Sequence, residues 1–171
     1  MLFLSIELIE ISFLNFKNSN LLINFFALSL TPTKAILAST LVTAVMQSSS
    51  VVVIIIQNLL SSNIISLNTA ICFVLGSNIG TCVTGLIVSV NSNKETKIVA
   101  FFNMFLNLFG GVITILFLDE FKHLIELFTL TFSNQKLIVS TIHLVYNLIF
   151  SILFFVGIEI ISFINNKNKQ I

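Results

Sequence analysis

Thr43-Ala-Val-Met-Gln-Ser-Ser-Ser50 is the stretch on which the fold depends, because it places four polar side chains inside the apolar run 35–60. An unpaired hydroxyl or amide group in hydrocarbon costs roughly 2–7 kcal/mol. Such groups persist at membrane depth only where they face protein, water or a ligand. The stretch therefore predicts either two half-length helices, 35–46 and 51–60, with 47–50 at their tip, or one straight span with a polar centre.

The composition is that of an integral membrane protein. Of the 171 residues, 56% are hydrophobic and 9% are charged, whereas soluble domains have about 25% charged residues. The formal net charge of +1 provides no basic surface for nucleic acid. The sequence contains no arginine, so an anion cannot be held by a bidentate guanidinium group. Backbone N–H groups, hydroxyls and bound cations would have to hold it.

A second polar break lies in the next apolar run, 64–90, at Gly76-Ser-Asn-Ile-Gly-Thr81. Two glycines and three polar residues at mid-depth predict an interrupted transmembrane helix, the type of element from which secondary transporters build substrate sites. Gly76 and Gly80 also form a small-xxx-small pattern, which is typical of helix packing and does not exclude a site. Two plain spans follow at 98–118 and 137–164, with a short amphipathic helix between them.

The sequence therefore predicts an all-α integral membrane protein with a re-entrant helical hairpin, an interrupted transmembrane helix and two plain transmembrane helices. We expect residues 1–34 to hold truncated N-terminal or interfacial helices, residues 35–164 to form the transmembrane repeat with the Gln-Ser-Ser-Ser motif, and residues 165–171 to form a polar tail. Lysines are concentrated in the loop 91–97 and in this tail, which predicts that both are cytoplasmic and that the hairpin enters from the outer face. The expected location is the plasma membrane, which the chain crosses several times.

These motifs resemble those of the type II sodium/phosphate cotransporters. Proteins of that family carry two inverted repeats, each with a QSSS and a G-x-N-I-G-T segment. The counterparts here are TAVMQSSS at 43–50 and VLGSNIGTCVTGLIVS at 74–89. A His-x-x-x-Phe-Asn pattern of the family has partial counterparts at 103–107 and 143–147. Because each main motif occurs once, the resemblance implies a single repeat, similar to the C-terminal half of a transporter.

The function implied by the resemblance is sodium-dependent symport of inorganic phosphate across the plasma membrane, with sodium as the coupling ion, no other metal and no cofactor. The implied partners are phosphate, sodium, the lipid bilayer and a second repeat, from another chain or from a second copy in a homodimer. Two alternatives stay open: symport of another small anion, and a transport-inactive accessory or truncated gene product. An enzyme is not expected, because no histidine or carboxylate lies close in sequence to the serines at 48–50.

The two motifs contain the groups that these ions require. Sodium takes neutral oxygens from hydroxyls, amides and free carbonyls, whereas a helix N-terminus favours an anion. Serines in membrane helices also often bond to their own backbone, which is the competing interpretation. The residues expected to bind phosphate are Gln47, Ser48, Ser49, Ser50, Asn78 and Thr81. Those expected to bind sodium are Gln47, Ser48, Ser49, Ser50, Ser77, Asn78, Thr81 and Thr84.

Four further polar residues lie in the two plain spans. They recur four residues apart, which places each pair on one face of its helix. We expect them to form interhelical hydrogen bonds in helix packing rather than to bind substrate. They are Asn103, Asn107, His143 and Asn147.

Overall fold

The computed structural model describes the backbone of residues 31–130 and 135–168, and the side chains of 31–130 and 136–156. Within these ranges the chain is all-α, as predicted, and the helices are named α1 to α6 in chain order. The predictions for residues 1–30 and 169–171 lie outside the described ranges. The helix bounds are α1 Pro32–Met46, α2 Ser49–Ser61, α3 Leu67–Ser89, α4 Lys94–Leu116, α5 Leu118–Thr129 and α6 Gln135–Asn168.

Three of the described helices are long and apolar enough to cross a bilayer: α3, α4 and the segment Lys136–Val156 of α6. The helices α1 and α2 have 15 and 13 residues. At 1.5 Å per residue each reaches only about 20 Å, less than the ~30 Å hydrocarbon core of a bilayer. The structure thus has the two half-length helices, and the alternative of one straight span over 35–60 is wrong.

The break between α1 and α2 lies at Gln47 and Ser48. Gln47 has the left-handed conformation, with φ 53° and ψ 25°, and Ser48 is extended. The N–H group of Gln47 donates to the carbonyl of Thr43 at 2.8 Å, which closes the last turn of α1. A left-handed conformation costs a residue with a side chain roughly 1–2 kcal/mol. The chain therefore reverses at one defined residue that carries backbone strain.

The α1–α3 seam, where these two helices pack along each other, positions the break relative to the rest of the protein. Ser39 Oγ donates to the carbonyl of Phe73 at 2.6 Å, and farther along both helices Thr43 lies against Gly80. Because the contacts advance together in sequence, α1 and α3 are parallel. The chain returns through α2 to the start of α3, so α1 and α2 form a helical hairpin whose tip points along α3.

Helix α3 is continuous through the Gly76-Ser-Asn-Ile-Gly-Thr81 segment, so the predicted interruption of this span is wrong. The glycines serve close packing instead. A Cβ atom on Gly76 would collide with the carbonyl oxygen of Ile36, and one on Gly80 would lie 2.7 Å from the carbonyl oxygen of Thr40. Backbone contact across the seam offsets the low helix propensity of the two glycines. The helix-packing interpretation of this pattern is confirmed.

The helix α3 lies at the centre of the described bundle, and its residues 70–80 are all buried. The surrounding helices are joined to one another by side-chain hydrogen bonds. The hydroxyl of Tyr146 on α6 donates to the carbonyl of Asn107 on α4 at 3.0 Å. Gln57 Nε2 on α2 donates to Ser140 Oγ on α6 at 2.8 Å. The second half of the hairpin is thereby attached to the last span.

The helix α5 is the predicted amphipathic helix between the two plain spans. Phe121 and Ile125 are buried on one side of it. On its other side Lys122 and Glu126 form an ion pair at 3.7 Å. With polar side chains on one face and apolar ones on the other, this helix suits the surface of a membrane.

Replacing Gly80 with alanine is expected to lower the melting temperature of the purified chain in detergent, because the new Cβ would meet the α1 backbone. Overpacking of this kind costs about 1–3 kcal/mol. Gly85→Ala is the matched control, since nothing lies within 4 Å of the position of its Cβ, and it is expected to leave the melting temperature unchanged or slightly raised. Equal melting temperatures for the two variants would contradict the packing described for the seam.

Substitutions at Gln47 are expected to follow the backbone conformation of this residue. Gln47→Gly relieves the left-handed strain, whereas Gln47→Val places a β-branched residue where it is a conformational outlier. The glycine variant should be more stable than the valine variant by about 1–2 kcal/mol. Thermal unfolding in detergent measures the difference, and the opposite order of melting temperatures would contradict the reversal at Gln47.

Candidate functional site

Two helix ends of opposite polarity meet at the break. The helix α1 ends at Met46 and α2 begins at Ser49, so only two residues separate them. The last carbonyls of α1 carry partial negative charge, and the first N–H groups of α2 carry partial positive charge. The first end favours a cation and the second favours an anion. The break thus brings a helix end that favours a cation next to one that favours an anion.

The N-terminus of α2 is not capped by its own serine. Ser48 occupies the N-cap position, where serine commonly accepts a hydrogen bond from the helix, but its side chain makes no such bond. Gln47 and Ser50 are exposed, and Ser48 and Ser49 are half-buried. The competing interpretation, in which the motif only satisfies its own helix, is therefore not what the structure shows for Ser48. The first amide groups of α2 remain open to an anion.

The tip of the hairpin lies beside the second half of α3. Thr43 contacts Gly80, and four further residues advance each parallel helix by about 6 Å. This rise brings Gln47 to the level of Thr84. The structure therefore places two predicted site residues of α3, Thr81 and Thr84, at the depth of the break.

The hydroxyl groups of these two threonines donate within α3. Thr81 Oγ1 donates to the carbonyl of Ser77 at 3.0 Å, and Thr84 Oγ1 donates to the carbonyl of Thr81 at 2.7 Å. A hydroxyl that donates its proton keeps two lone pairs. Both oxygens can therefore still coordinate a cation, while they have no free proton to give to an anion.

Ser77 and Asn78, the other predicted residues of α3, are buried inside the bundle. Ser77 is 0% and Asn78 is 7% exposed, and neither Ser77 Oγ nor Asn78 Nδ2 has a hydrogen-bond partner. Thr43 Oγ1 on α1, in a residue that is 1% exposed, is also unpaired. A buried polar atom left unpaired costs about 1–3 kcal/mol. Three such atoms in neighbouring helices therefore require an explanation.

Thr43 was not among the residues predicted from sequence. A single threonine in an apolar run carries no signal of its own. The signal that could have identified Thr43 is its spacing from Gln47. Thr43 lies one helical turn before Gln47 and therefore on the same face of α1. That face packs on α3, which sequence alone did not indicate.

The electrostatics of the site follow from the composition of the hairpin and of α3. The helices α1, α2 and α3 contain no aspartate, glutamate, histidine or arginine. An anion at the break therefore meets no carboxylate, and a cation there must be held by neutral oxygens. In the described ranges no group of three or more His, Cys, Asp or Glu side chains comes together.

The polar residues of the plain spans do not pair as expected. Asn107 Nδ2 donates to the carbonyl of Asn103 at 3.0 Å, and Asn147 Nδ2 donates to the carbonyl of His143 at 2.8 Å. The prediction of interhelical hydrogen bonds is wrong for the Asn147 amide, which finds a carbonyl one turn back in its own helix. The Asn107 side chain bonds within its own helix and is also a hydrogen-bond partner of Cys82 on α3. The hydrogen bond between α4 and α6 is donated by Tyr146 instead.

A mainly apolar cavity of about 280 Å³ lies between α4 and α6, and the polar residues in its lining include Asn103, Asn107, Tyr146 and Asn147. Asn103 also contacts α3, because Cys82 Sγ lies 3.8 Å from its carbonyl. Cys82 is two residues beyond the glycine that contacts α1, which is about 200° around the helix. The cavity is therefore on the opposite side of α3 from the α1–α3 seam and is separate from the break.

Comparison with known proteins identifies the family of the chain. The family model described as Na+/Pi-cotransporter matches residues 1–163. The uncharacterized protein YqeW of Bacillus subtilis (strain 168) is 34% identical over 92 residues, which are 54% of this chain and 30% of that relative. No solved structure is significantly similar to the chain. Because the family model covers well over half of the sequence, the chain belongs to the Na+/Pi-cotransporter family.

Proposed function

We propose that the break between α1 and α2 binds phosphate and sodium together, and that the chain takes part in sodium-coupled phosphate symport across the plasma membrane. Membership of the family supports the identity of the two ions. The observation that carries the site is the uncapped N-terminus of α2, two residues after the C-terminus of α1. The helix end without a cap offers donors, and the neighbouring end offers acceptors.

Phosphate binds at the start of α2. The first N–H groups of a helix have no intrahelical partner and point along its axis, so they form a ready anion site. The hydroxyls of Ser49 and Ser50 add donors on the first turn. The lack of arginine is compensated by these groups and by the adjacent cation.

Sodium binds at the end of α1 and beside α3. Its ligands are the last carbonyls of α1, the side-chain oxygen of Gln47 and the hydroxyl oxygens of Thr81 and Thr84. Opposite unit charges about 4 Å apart attract by about 4 kcal/mol at an effective dielectric constant of 20. Each ion therefore raises the affinity for the other, and this coupling is reciprocal. Such coupling is what a symporter requires.

The hairpin is re-entrant in this proposal. Its two helices are too short to span a bilayer, and it begins and ends near the start of α3. The lysine bias places the opposite end of α3, next to the loop 91–97, in the cytoplasm. The C-terminus is then cytoplasmic too, and the polar tip lies within the membrane.

The exposed polar tip requires a protein cover. Gln47 and Ser50 are exposed in a single chain, and lipid cannot satisfy them. This chain matches only 30% of the length of its Bacillus relative. A second repeat, from another chain or from a second copy, completes the site.

Uptake in proteoliposomes tests the function. The purified chain should accumulate radiolabelled phosphate under an inward sodium gradient and not under an equal potassium gradient. Ser49→Ala should abolish uptake, because it removes a donor from the anion site, whereas Ser92→Ala, in the turn after α3, should leave uptake unchanged.

Three results would contradict this proposal. Unchanged uptake by the Ser49→Ala variant would contradict the site. Full inhibition by sulfate, with sodium-driven uptake of sulfate at a higher rate, would identify a different anion as the substrate. Absence of sodium-dependent uptake by the unaltered chain would contradict transport by this chain or its homodimer.

Cysteine labelling tests the re-entrant placement. The native Cys72 and Cys82 are buried and should not react with a membrane-impermeant maleimide. Thr33→Cys and Ser62→Cys, at the two ends of the hairpin, should be labelled from the same side of the membrane, and Asn91→Cys from the other side. Labelling of positions 33 and 62 from opposite sides would contradict a re-entrant hairpin.

A further inference from the structure

An apolar groove between α1 and α4 lies apart from both the break and the cavity between α4 and α6. We propose that this groove holds one acyl chain of an anionic phospholipid from the surrounding bilayer, with the phosphate of its headgroup against Lys34. The inference does not depend on which ions the chain transports.

The groove is formed where α1 and α4 lie beside each other on α3. Its volume is about 280 Å³, and its lining exposes only apolar atoms. The Cδ1 atom of Ile79 on α3 lies 3.7 Å from the position that a Cβ on Gly111 of α4 would occupy. These two residues, both buried, form the floor. The walls are formed by Ile36 and Leu37 on α1 and by Leu108, Val112 and Ile115 on α4.

The groove extends through one leaflet of the bilayer. Thr33, at its mouth, is the second residue of α1, and Ile115 is the second-last residue of α4. The other end, at Ile79 and Leu108, is near the middle of α3 and α4. The rise along α4 from Leu108 to Ile115 is about 10 Å, and one leaflet contributes about 15 Å of the hydrocarbon core. The groove therefore has the depth and the direction of a lipid tail.

The walls of the groove are open and consist of large aliphatic side chains. Leu37, Leu108 and Val112 are 62%, 45% and 55% exposed. Helices in a membrane associate through small residues and polar groups, because lipid tails are as apolar as leucine. The walls offer neither kind of contact to another helix. An acyl chain needs only the dispersion contacts that these side chains provide.

The charge at the mouth determines the headgroup. Lys34 follows Thr33, is exposed, and forms no ion pair with the described residues. It is the one charged residue of α1, α2 and α3. The carboxylates that follow Ile115 most closely in sequence, Asp119 and Glu120, begin α5, which packs mainly on α6. Since a lysine at the membrane surface attracts anionic headgroups, the mouth favours a phospholipid with a net negative charge.

A lipid tail in the groove would fill the space between α1 and α4. It would add contacts to the side of α1 next to α4, whereas the seam holds the side next to α3. The lipid would thus stabilise the first half of the hairpin.

Quenching of tryptophan fluorescence by brominated lipids tests the site, because the chain contains no tryptophan. Leu108→Trp places a reporter on the wall of the groove. The full chain with this substitution is reconstituted in phosphatidylcholine vesicles that contain either brominated phosphatidylglycerol or brominated phosphatidylcholine. Quenching should report an affinity about fivefold higher for phosphatidylglycerol, the effect of one lysine near the surface.

Phe109→Trp is the matched control. Phe109 is exposed at the same depth of α4, about 100° around the helix and outside the groove. This reporter should show equal affinities for the two lipids. With the Leu108→Trp reporter, Lys34→Gln should abolish the preference and Lys34→Arg should retain it. Val112→Trp, on the same wall, is the reporter if Leu108→Trp does not fold.

Equal affinities at the groove reporter, or a preference that survives Lys34→Gln, would overturn the inference. Weak quenching by both lipids that increases as the protein is diluted in lipid would also overturn it and would identify a second copy of the chain as the occupant. Weak quenching at every dilution would show that lipid does not enter the groove. Phosphate uptake by the unaltered chain is measured separately, so each of these results leaves the proposed function standing.

Discussion

The close parallel contact between α1 and α3 is the constraint on which the rest of the structure depends. It exists because Gly76 and Gly80 have no Cβ, which lets the carbonyls of Ile36 and Thr40 approach the backbone of α3. Without this contact a 15-residue helix too short to span a membrane would have no fixed position. With it, the tip of the hairpin is held at the level of two threonines of α3. Packing of small residues thus determines where polar groups meet.

The chemistry of the candidate site comes from the backbone more than from side chains. One residue with positive φ, Gln47, ends α1 and allows α2 to begin two residues later. The ends of two helices provide acceptors and donors that are prepared by folding and need no ionisable group. In the proposed function, this arrangement would let a chain without arginine hold an anion in an apolar surrounding.

Sequence alone located the polar tip at 47–50, because four adjacent polar side chains in an apolar run have few physical solutions, but it left open whether 35–60 forms a hairpin or a straight span. It did not predict that α3 is continuous. A span that contains glycine, serine and asparagine has the same sequence pattern whether its helix unwinds or packs tightly against another helix. The helix that decides between the two, α1, is distant in sequence. Thr43 escaped prediction for the same reason. Asn107 and Asn147 were expected to bond between helices, but a carbonyl four residues back in the same helix lies within reach of each amide. Their roles depend on which neighbour each side chain meets.

The absence of acidic residues and histidine from α1, α2 and α3 has an energetic consequence. A site assembled from these helices has no group that titrates near neutral pH. No side chain of these three helices would bind a proton near neutral pH in place of sodium at the proposed site. Its response to acidity would then reflect the ionisation of the transported anion, and the work of accumulation would be drawn from a salt gradient rather than from a pH difference across the membrane.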